Sequence, residues 1–295
     1  SVGGIRHFNT LSKDDDCWGC GSSAASIGPA SDGRIKPDLA HFYDLTLTVT
    51  TGGVDAYTPT FGGTSGATPI TAGHFGLFFQ MWSDGIFGNL VDPEASVFAN
   101  RPRATTAKAM LINTAAPYPF EGTEHDLTRV HQGWGLPSVD RLWSDRGRFF
   151  IVDETVPLAP LESRTEVLEV APGTSAFHAT LVYRDPAANP AAEVHRINDL
   201  SLRVTAPDGT VYWGNHGLLE GNVSMPGGGP NTVDTVEQVI VAEPQPGAWT
   251  VRVSGDEILV DGYPATASVD AAYALVVRGV EPRPEPFLVR LDGPA

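Results

Sequence analysis

Residues 61–69 read Phe-Gly-Gly-Thr-Ser-Gly-Ala-Thr-Pro, and this stretch determines how the rest of the chain is interpreted. Its paired glycines let the backbone turn tightly and approach a neighbouring group closely. Ser65 stands at the start of an apolar run that ends at Trp82. A helix that begins at Ser65 would place free N–H groups and the positive end of the helix dipole beside the serine oxygen. Pro69 fits this prediction, because a missing N–H is tolerated near the first helical turn.

A serine in this position has two interpretations. It can be a nucleophile whose surroundings stabilise a developing oxyanion, and losing one such donor raises a reaction barrier by about 3 kcal/mol. It can also be the N-cap of a buried helix, which is a common role for serine. The residues alone leave both interpretations open.

Length and charge limit the classes of function. The 295 residues favour two domains, and the net charge of −16 argues against nucleic acid or an anionic membrane as a partner. No run of eighteen apolar residues occurs, so no membrane span is predicted. Residues 1–5 (SVGGI) are typical of the interior of a fold and contain no signal region, which predicts an N-terminus made by processing or by the choice of segment.

The first 147 residues alternate between helical and strand patterns, as in an α/β domain. Leu45–Thr51 is rich in threonine and valine and predicts a strand. Gly66–Trp82 is apolar on nearly all sides and predicts a buried central helix. Ala104–Thr114 predicts a second helix, while residues 84–103 resemble a loop.

Residues 148–280 show period-two patterns instead. Alternating apolar side chains lie around Phe177–Tyr183, Leu200–Val204 and Trp249–Val253, and Pro-Asp-Gly and Pro-Gly turns separate the runs. This pattern predicts an all-β sandwich or jelly roll. The proline-rich tail, residues 281–295, is predicted to be extended or an edge strand.

Cys17 and Cys20 form a C-x-x-C pair. Two cysteines cannot complete a four-thiolate zinc site, and the glycine- and serine-rich surroundings differ from those of a redox helix. The sequence therefore favours a local disulfide or two free thiols.

The Ser65 segment resembles the serine motif of the subtilisin-like serine peptidases. Further stretches extend the resemblance: Gly28-Pro29 with Asp32–Asp38 (DGRIKPD), Leu111–Ala115 (LINTA) and Gln132–Gly135 (QGWG). The second region is similar to the β-sandwich that follows the catalytic domain in some bacterial members, through the segments 181–186 (LVYRDP), 198–200 (NDL) and 236–239 (VEQV). The resemblance implies the C-terminal part of a parallel-sheet catalytic domain followed by the sandwich.

The same resemblance implies a secreted, extracellular or periplasmic endopeptidase. Ser65 would be its nucleophile, and the backbone of Gly63, Thr64 and Ser65 would contact the substrate and its oxyanion. Members of the family carry their catalytic residues in the order Asp, His, Ser. Here no Asp, His or oxyanion Asn motif precedes Lys36, and Ala40-His41-Phe42 replaces the usual Ala-Pro-Gly. The missing residues are therefore expected on an N-terminal part of the same protease, as a separate cleaved chain or as sequence outside this segment.

Local histidines are weak alternatives as the base. His74 lies nine residues into the helix, about 13 Å from Ser65, and is expected to be a hydrogen-bonded helix residue. His7 and His41 have no orienting carboxylate at a recognised spacing. His125 and His131 precede Gly133 in a predicted solvated loop.

The chemistry itself requires no cofactor. Structural calcium is expected from the resemblance, with oxygen ligands of the kind that calcium binds from Asp185, Asn198, Asp199 and Asp234. The alternative is that these side chains cap turns and strand ends.

Two other functions stay open. The chain can be a catalytically incomplete relative that binds partners through its sandwich. It can also be a lipase or esterase, although residues 63–67 (GTSGA) place alanine where the nucleophile elbow of those enzymes has its last glycine.

Overall fold

The computed structural model describes residues 1–20, 25–120 and 129–282. The strands in these ranges are β1 (Val2–Ile5), β2 (Leu39–Phe42), β3 (Thr46–Val49), β4 (Tyr57–Phe61), β5 (Phe149–Asp153), β6 (Ser163–Val170), β7 (Ala176–Tyr183), β8 (Asp199–Thr205), β9 (Val211–Trp213), β10 (Val236–Ala242), β11 (Gly247–Glu257) and β12 (Tyr273–Arg278). The helices are α1 (Thr64–Ser83), α2 (Ala104–Thr114), α3 (Arg129–Gln132) and α4 (Val139–Ser144). None of the described helices is both long enough and apolar enough to cross a bilayer.

Contacts divide the chain into two compact units. The first comprises Ser1–Gly76, Ala115–Ser138 and Leu219–Asn222, and the second comprises Leu77–Thr114, Val139–Leu218 and the chain from Val223 onward. Helices α2 and α4 therefore group with the strands that follow them. The sequence-based boundaries, 1–147, 148–280 and 281–295, stay a prediction, and most of the tail lies outside the described residues.

The first unit contains a parallel pair and a hairpin. Strand β1 pairs in parallel with β2, and β3 pairs antiparallel with β4. Ile5, Ala40 and Tyr118 form a small buried cluster, against which Phe42 and Phe120 pack. In the described residues β1 and β2 are the one parallel pair, so the larger parallel sheet expected from the resemblance stays a prediction.

Two of the sequence motifs meet in this unit. The N–H of Trp134 donates to the carbonyl of Asp38 over 2.9 Å, and the N–H of Ala40 donates to that of Gly135 over 3.0 Å. Gly133 has a φ of 60°, and a Cβ atom there would lie 2.2 Å from the carbonyl oxygen of Pro37. Glycine is therefore required for this close approach of the two segments.

The second unit contains the predicted β-sandwich. Its two antiparallel sheets have the strand orders β10-β7-β12-β5 and β6-β11-β8-β9. Their inner faces share one buried core, in which the rings of Phe177 and Trp249 stack 4.8 Å apart. The period-two pattern arises because alternate side chains of each strand face this core.

Helix α2 covers the outer face of the first sheet, where it packs against β5, β7 and β12. The Asn113 amide donates to Thr180 Oγ1 over 2.9 Å and to the carbonyl of Val276 over 3.2 Å, and Thr180 donates to Gln238 over 2.9 Å. Thr180 and Val182 are consequently buried although they point away from the sandwich core. The helix and the sheet therefore share a satisfied polar network rather than a purely apolar contact.

Helix α1 is present as predicted, but the prediction of burial on all sides is wrong. Leu77 and Phe79 are 52% and 39% exposed, and Thr68 and Pro69 are also exposed. The apolar composition predicted cover for the whole helix, and the described part of the chain supplies it on one side only.

Candidate active site

Ser65 is the second residue of α1, and its side chain is exposed. The strand β4 ends at Phe61, and Gly63 reverses the chain with a φ of 83° before the helix begins. The N–H of Gly66 donates to the carbonyl of Gly63 over 2.7 Å and closes this turn. A Cβ atom on Gly62 would lie 3.0 Å from the carbonyl oxygen of Tyr43, so the glycine also permits close backbone packing.

The hydroxyl of Ser65 is not engaged in capping. Among the described residues it has no hydrogen-bond partner, and the helix begins one residue earlier, at Thr64. The first four N–H groups of a helix lack intrahelical acceptors, so Thr64 and Ser65 present amide donors beside the hydroxyl. Ser65 is therefore not the N-cap of α1, and its role as a nucleophile stays a prediction. The contribution of Gly63, Thr64 and Ser65 to an oxyanion site stays a prediction.

Sequence reasoning missed a histidine–carboxylate pair in the first unit, which also contains Ser65. Nδ1 of His7 lies 2.8 Å from Oδ1 of Asp44, and the two carboxylate oxygens also accept the backbone N–H groups of His7 and Phe8. The His7 ring stacks on Phe42 with a centroid distance of 4.6 Å. No spacing rule could have found this pair, because 37 residues separate its members. In the described chain, neither histidine nitrogen is hydrogen-bonded to Ser65.

His41 and His74 lie side by side with their ring centroids 5.2 Å apart. Nδ1 of His41 accepts the backbone N–H of Phe42, whereas Nδ1 of His74 donates to the carbonyl of Ile70 over 2.9 Å. Burial, together with the nearby imidazoles of His74 and His7, lowers the pKa of His41 to about 4. His41 is therefore neutral at physiological pH. His74 is the hydrogen-bonded helix residue that the sequence predicted.

The remaining candidate bases are His131 and His125. His131 is in α3, and its ring contacts that of Trp18 edge-on at 4.8 Å. The position is ordered by packing and is not the solvated loop site that was predicted. His125 lies outside the described residues.

Cys17 and Cys20 form a disulfide with their Cα atoms 5.9 Å apart. This confirms the first of the two alternatives drawn from the sequence. The bond closes a short loop that is also held by the paired backbones of Arg6 and Cys17, which exchange hydrogen bonds of 2.8 and 3.1 Å.

Two of the predicted calcium ligands are engaged in hydrogen bonds within the sandwich. The carboxylate of Asp185 accepts the backbone N–H groups of Ile197 and Asn198 over 2.7 and 2.8 Å. The Asn198 side chain accepts the N–H of Leu259 over 2.9 Å and donates to the carbonyl of Val260. These contacts are those of the alternative role, in which the side chains fix turns.

The other two candidate ligands lie near a buried carboxyl group. Asp234 accepts hydrogen bonds from the amides of Asn215 and Asn231. Burial raises the pKa of Asp199 to about 6, and burial raises that of Glu237 well above its ordinary value. In the described ranges no three His, Cys, Asp or Glu side chains are arranged to hold a metal ion. Calcium binding stays a prediction.

Comparisons with known proteins give one sequence relative. The chain is 23% identical over 283 residues to the serine protease/ABC transporter B family protein tagA of Dictyostelium discoideum. The aligned region covers 86% of this chain and 15% of that protein, so the chain spans a small part of the relative. No family model matches the chain.

Two solved structures show weak likeness. A Bacillus licheniformis lipase in its propeptide form has a TM-score of 0.25 and 12% identity, covering 57% of this chain and 32% of that one. The CspB protease of Clostridium perfringens has a TM-score of 0.24 and 13% identity, covering 46% and 26%. Likeness at this level identifies no shared fold.

Proposed function

We propose that this chain is the serine-bearing part of a subtilisin-type endopeptidase. One observation carries the proposal: an exposed, unengaged hydroxyl on Ser65 at the first turn of α1, directly after the left-handed turn at Gly63. The sequence similarity to a protein named as a serine protease supports it, because that similarity extends over 86% of the chain.

The proposed reaction is acyl transfer through Ser65. A histidine takes the proton of the hydroxyl as Oγ attacks the peptide carbonyl, and an aspartate holds that histidine in the correct tautomer. The backbone N–H of Ser65, the adjoining backbone of Gly63 and Thr64, and an asparagine stabilise the oxyanion. The histidine then protonates the leaving amine, and water hydrolyses the acyl-enzyme.

In this proposal the histidine, aspartate and asparagine come from an N-terminal part of the same protease, carried on a separate chain. Two features of the described residues support this. Within these residues, no histidine is hydrogen-bonded to Ser65. In the hairpin β3–β4, the side chains of Leu47 and Val49 are 70% and 69% exposed. Contiguous exposed apolar side chains commonly mark a surface that another polypeptide covers.

A fluorophosphonate probe tests the reaction. In the native assembly we expect covalent labelling at Ser65, located by peptide mass mapping. Ser65→Ala should abolish the labelling, whereas Ser163→Ala, at an exposed serine of β6, should leave it unchanged. A native preparation that shows one band with the mass of this chain alone would contradict the two-chain arrangement.

The same experiment separates the competing function. If the assembly is folded and Ser65 is not labelled, the chain is a binding module that acts through its sandwich. Circular dichroism of the unlabelled sample establishes that the fold is intact, so absence of labelling counts against the peptidase.

Secretion and calcium binding extend the proposal. The disulfide between Cys17 and Cys20 supports an extracellular or periplasmic location, because disulfides persist in oxidising compartments. Asp199 supports a calcium site, since its Oδ1 is buried without a hydrogen-bond partner in the described ranges. Calcium should raise the melting temperature relative to a sample in chelator, and an unchanged melting temperature would contradict the site.

A further inference from the structure

Residues 84–103, for which the sequence predicts a loop, follow α1 directly and are held in place by side-chain hydrogen bonds. The Asn89 amide donates to the carbonyl of Trp82 over 2.8 Å and so caps the helix. Asn100 binds both backbone groups of Asp92, accepting its N–H over 2.9 Å and donating to its carbonyl over 2.8 Å. These two asparagines fix the path of the loop through backbone contacts.

An apolar groove of about 370 Å³ runs between this loop and the helix. Phe79 and Ser83 line one side, and Val97 and Phe98 line the other. Val97 and Phe98 are 62% and 75% exposed, although solvent-exposed phenylalanine is unfavourable. The Ser83 hydroxyl donates to the carbonyl of Gln80 and is therefore used within the helix. The groove offers a ligand apolar surface and almost no polar contact.

A polar cavity of about 310 Å³ adjoins the groove. Arg101 lines both, and Arg103, Asp153 and Thr155 line the cavity. Nη1 of Arg101 donates to the carbonyl of Phe98 over 2.5 Å, which holds the guanidinium at the junction. The other guanidinium N–H groups of Arg101 have no partner within the described ranges.

The cavity concentrates positive charge in an acidic protein. The whole chain has 19 Lys and Arg residues and a net charge of −16, yet two arginines lie two residues apart here. Asp153 offsets one of these two charges, so the charged side chains that line the cavity leave a net excess of one positive charge. The Oδ1 of Asp153 accepts hydrogen bonds from Thr106 Oγ1 at 2.5 Å and from the N–H of Arg103 at 3.3 Å, which fix the carboxylate in place. Two guanidinium groups beside an apolar groove suit a ligand that is both apolar and anionic.

We propose that the groove and cavity bind the C-terminal end of a peptide. The terminal carboxylate pairs with Arg101 and Arg103, and an apolar side chain of the last residues enters the groove. Asp153 and Thr155 supply oxygen acceptors for the amide N–H that precedes the carboxylate. A simple aliphatic carboxylate has no such donor, which is why the polar lining favours a peptide.

This binding is separate from the reaction proposed for Ser65. Phe79 follows Ser65 by fourteen residues of sequence, and none of the groove or cavity residues belongs to the serine motif. The site can therefore be tested in the Ser65→Ala protein, which also prevents hydrolysis of the probe. Failure of fluorophosphonate labelling would refute the peptidase and leave this binding unaffected.

Fluorescence anisotropy with two peptides tests the proposal. The probes are fluorescein-labelled Gly-Ser-Gly-Ser-Leu-Phe with a free carboxylate and the same peptide as its C-terminal amide. We expect the free peptide to bind at least tenfold more tightly than the amide. Arg101→Gln should remove this preference, lowering affinity for the free peptide at least tenfold and leaving the amide unchanged. Arg252→Gln, at an exposed arginine of β11, removes the same charge and should have no effect.

Three results would overturn the proposal: equal binding of the two peptides, retention of the preference in Arg101→Gln, or tight binding of dodecanoate without binding of the peptide. Phe98→Ser serves as a second variant and should weaken both peptides equally, because it removes apolar contact only. Circular dichroism and thermal melting of each variant confirm that it is folded before its affinity is interpreted.

Discussion

The β-sandwich and the hairpin next to Ser65 differ in how completely their apolar side chains are buried. Phe177, Leu202 and Val251 in the sandwich are 0% exposed, whereas Tyr57 in the hairpin is 60% exposed. A hairpin of two strands is at best marginally stable without further packing. The sandwich therefore has a closed apolar core, whereas the described residues leave the apolar side chains of the hairpin open to solvent.

The largest effect expected from this comparison is in the sandwich core. Trp249→Ala removes a fully buried ring that stacks on Phe177 and should lower the free energy of unfolding by about 3–5 kcal/mol. Urea unfolding followed by circular dichroism measures the change. Trp143→Ala, at a 50% exposed ring in α4, is the matched control and should cost under about 1 kcal/mol. Equal costs would mean that the sandwich core is not the main source of stability.

The next effect is expected in the first unit, at the meeting of its two motifs. Gly133→Ala places a Cβ atom against the carbonyl oxygen of Pro37 in a left-handed backbone, and should cost about 2–4 kcal/mol. Gly147→Ala is the control, because its Cβ atom would meet nothing within 4 Å. Both are measured by thermal melting. A stable Gly133→Ala protein would show that the contact between the motifs is loose.

A smaller effect concerns pH. Burial raises the pKa of Asp199 to about 6 from 3.8, so the folded protein holds this proton more tightly than the unfolded chain. The resulting stabilisation is complete below about pH 4 and is lost as the pH rises through 6. In chelator, the urea midpoint should therefore fall between pH 4 and 7. Asp199→Asn should flatten this fall of the urea midpoint, whereas Asp55→Asn, at an exposed aspartate, should leave it unchanged. The same pH profile in the unmodified protein and in both variants would contradict the raised pKa of Asp199.

The smallest effect tests the exposed hairpin. Val49→Ser should change the free energy of unfolding of this chain by less than about 0.5 kcal/mol, because Val49 is 69% exposed. The same variant should reduce binding of a hydrophobic dye such as ANS. A loss of more than 1 kcal/mol would show that the hairpin is already packed, and the contrast with the sandwich would disappear.

The sequence predicted elements whose pattern is local. Helix α2 has the predicted bounds, and β7, β8 and β11 lie where the alternation placed them. The Ser65 turn was also predictable, because glycine, serine and proline each have a specific conformational role there. These features depend on residues that are close together in the chain.

Features that depend on distant contacts were not predictable. The pairing of His7 with Asp44 joins residues 37 apart, and the buried network of Asn113 joins α2 to strands far along the chain. The exposure of α1 was missed for a different reason: an apolar composition shows that a helix needs cover but does not show whether this chain provides it. The loop beside Trp82 depends on two asparagine side chains whose backbone partners cannot be identified from sequence.

The position of α2 decides where the sandwich can be cut from the rest of the protein. A fragment that began at residue 148 would contain every sandwich strand, yet it would lack the helix that shields Thr180 and Val182 from water. That bare sheet face would favour self-association over a soluble monomer. A usable sandwich fragment must start before Ala104, so the helix and the strands have to be expressed and engineered as one piece.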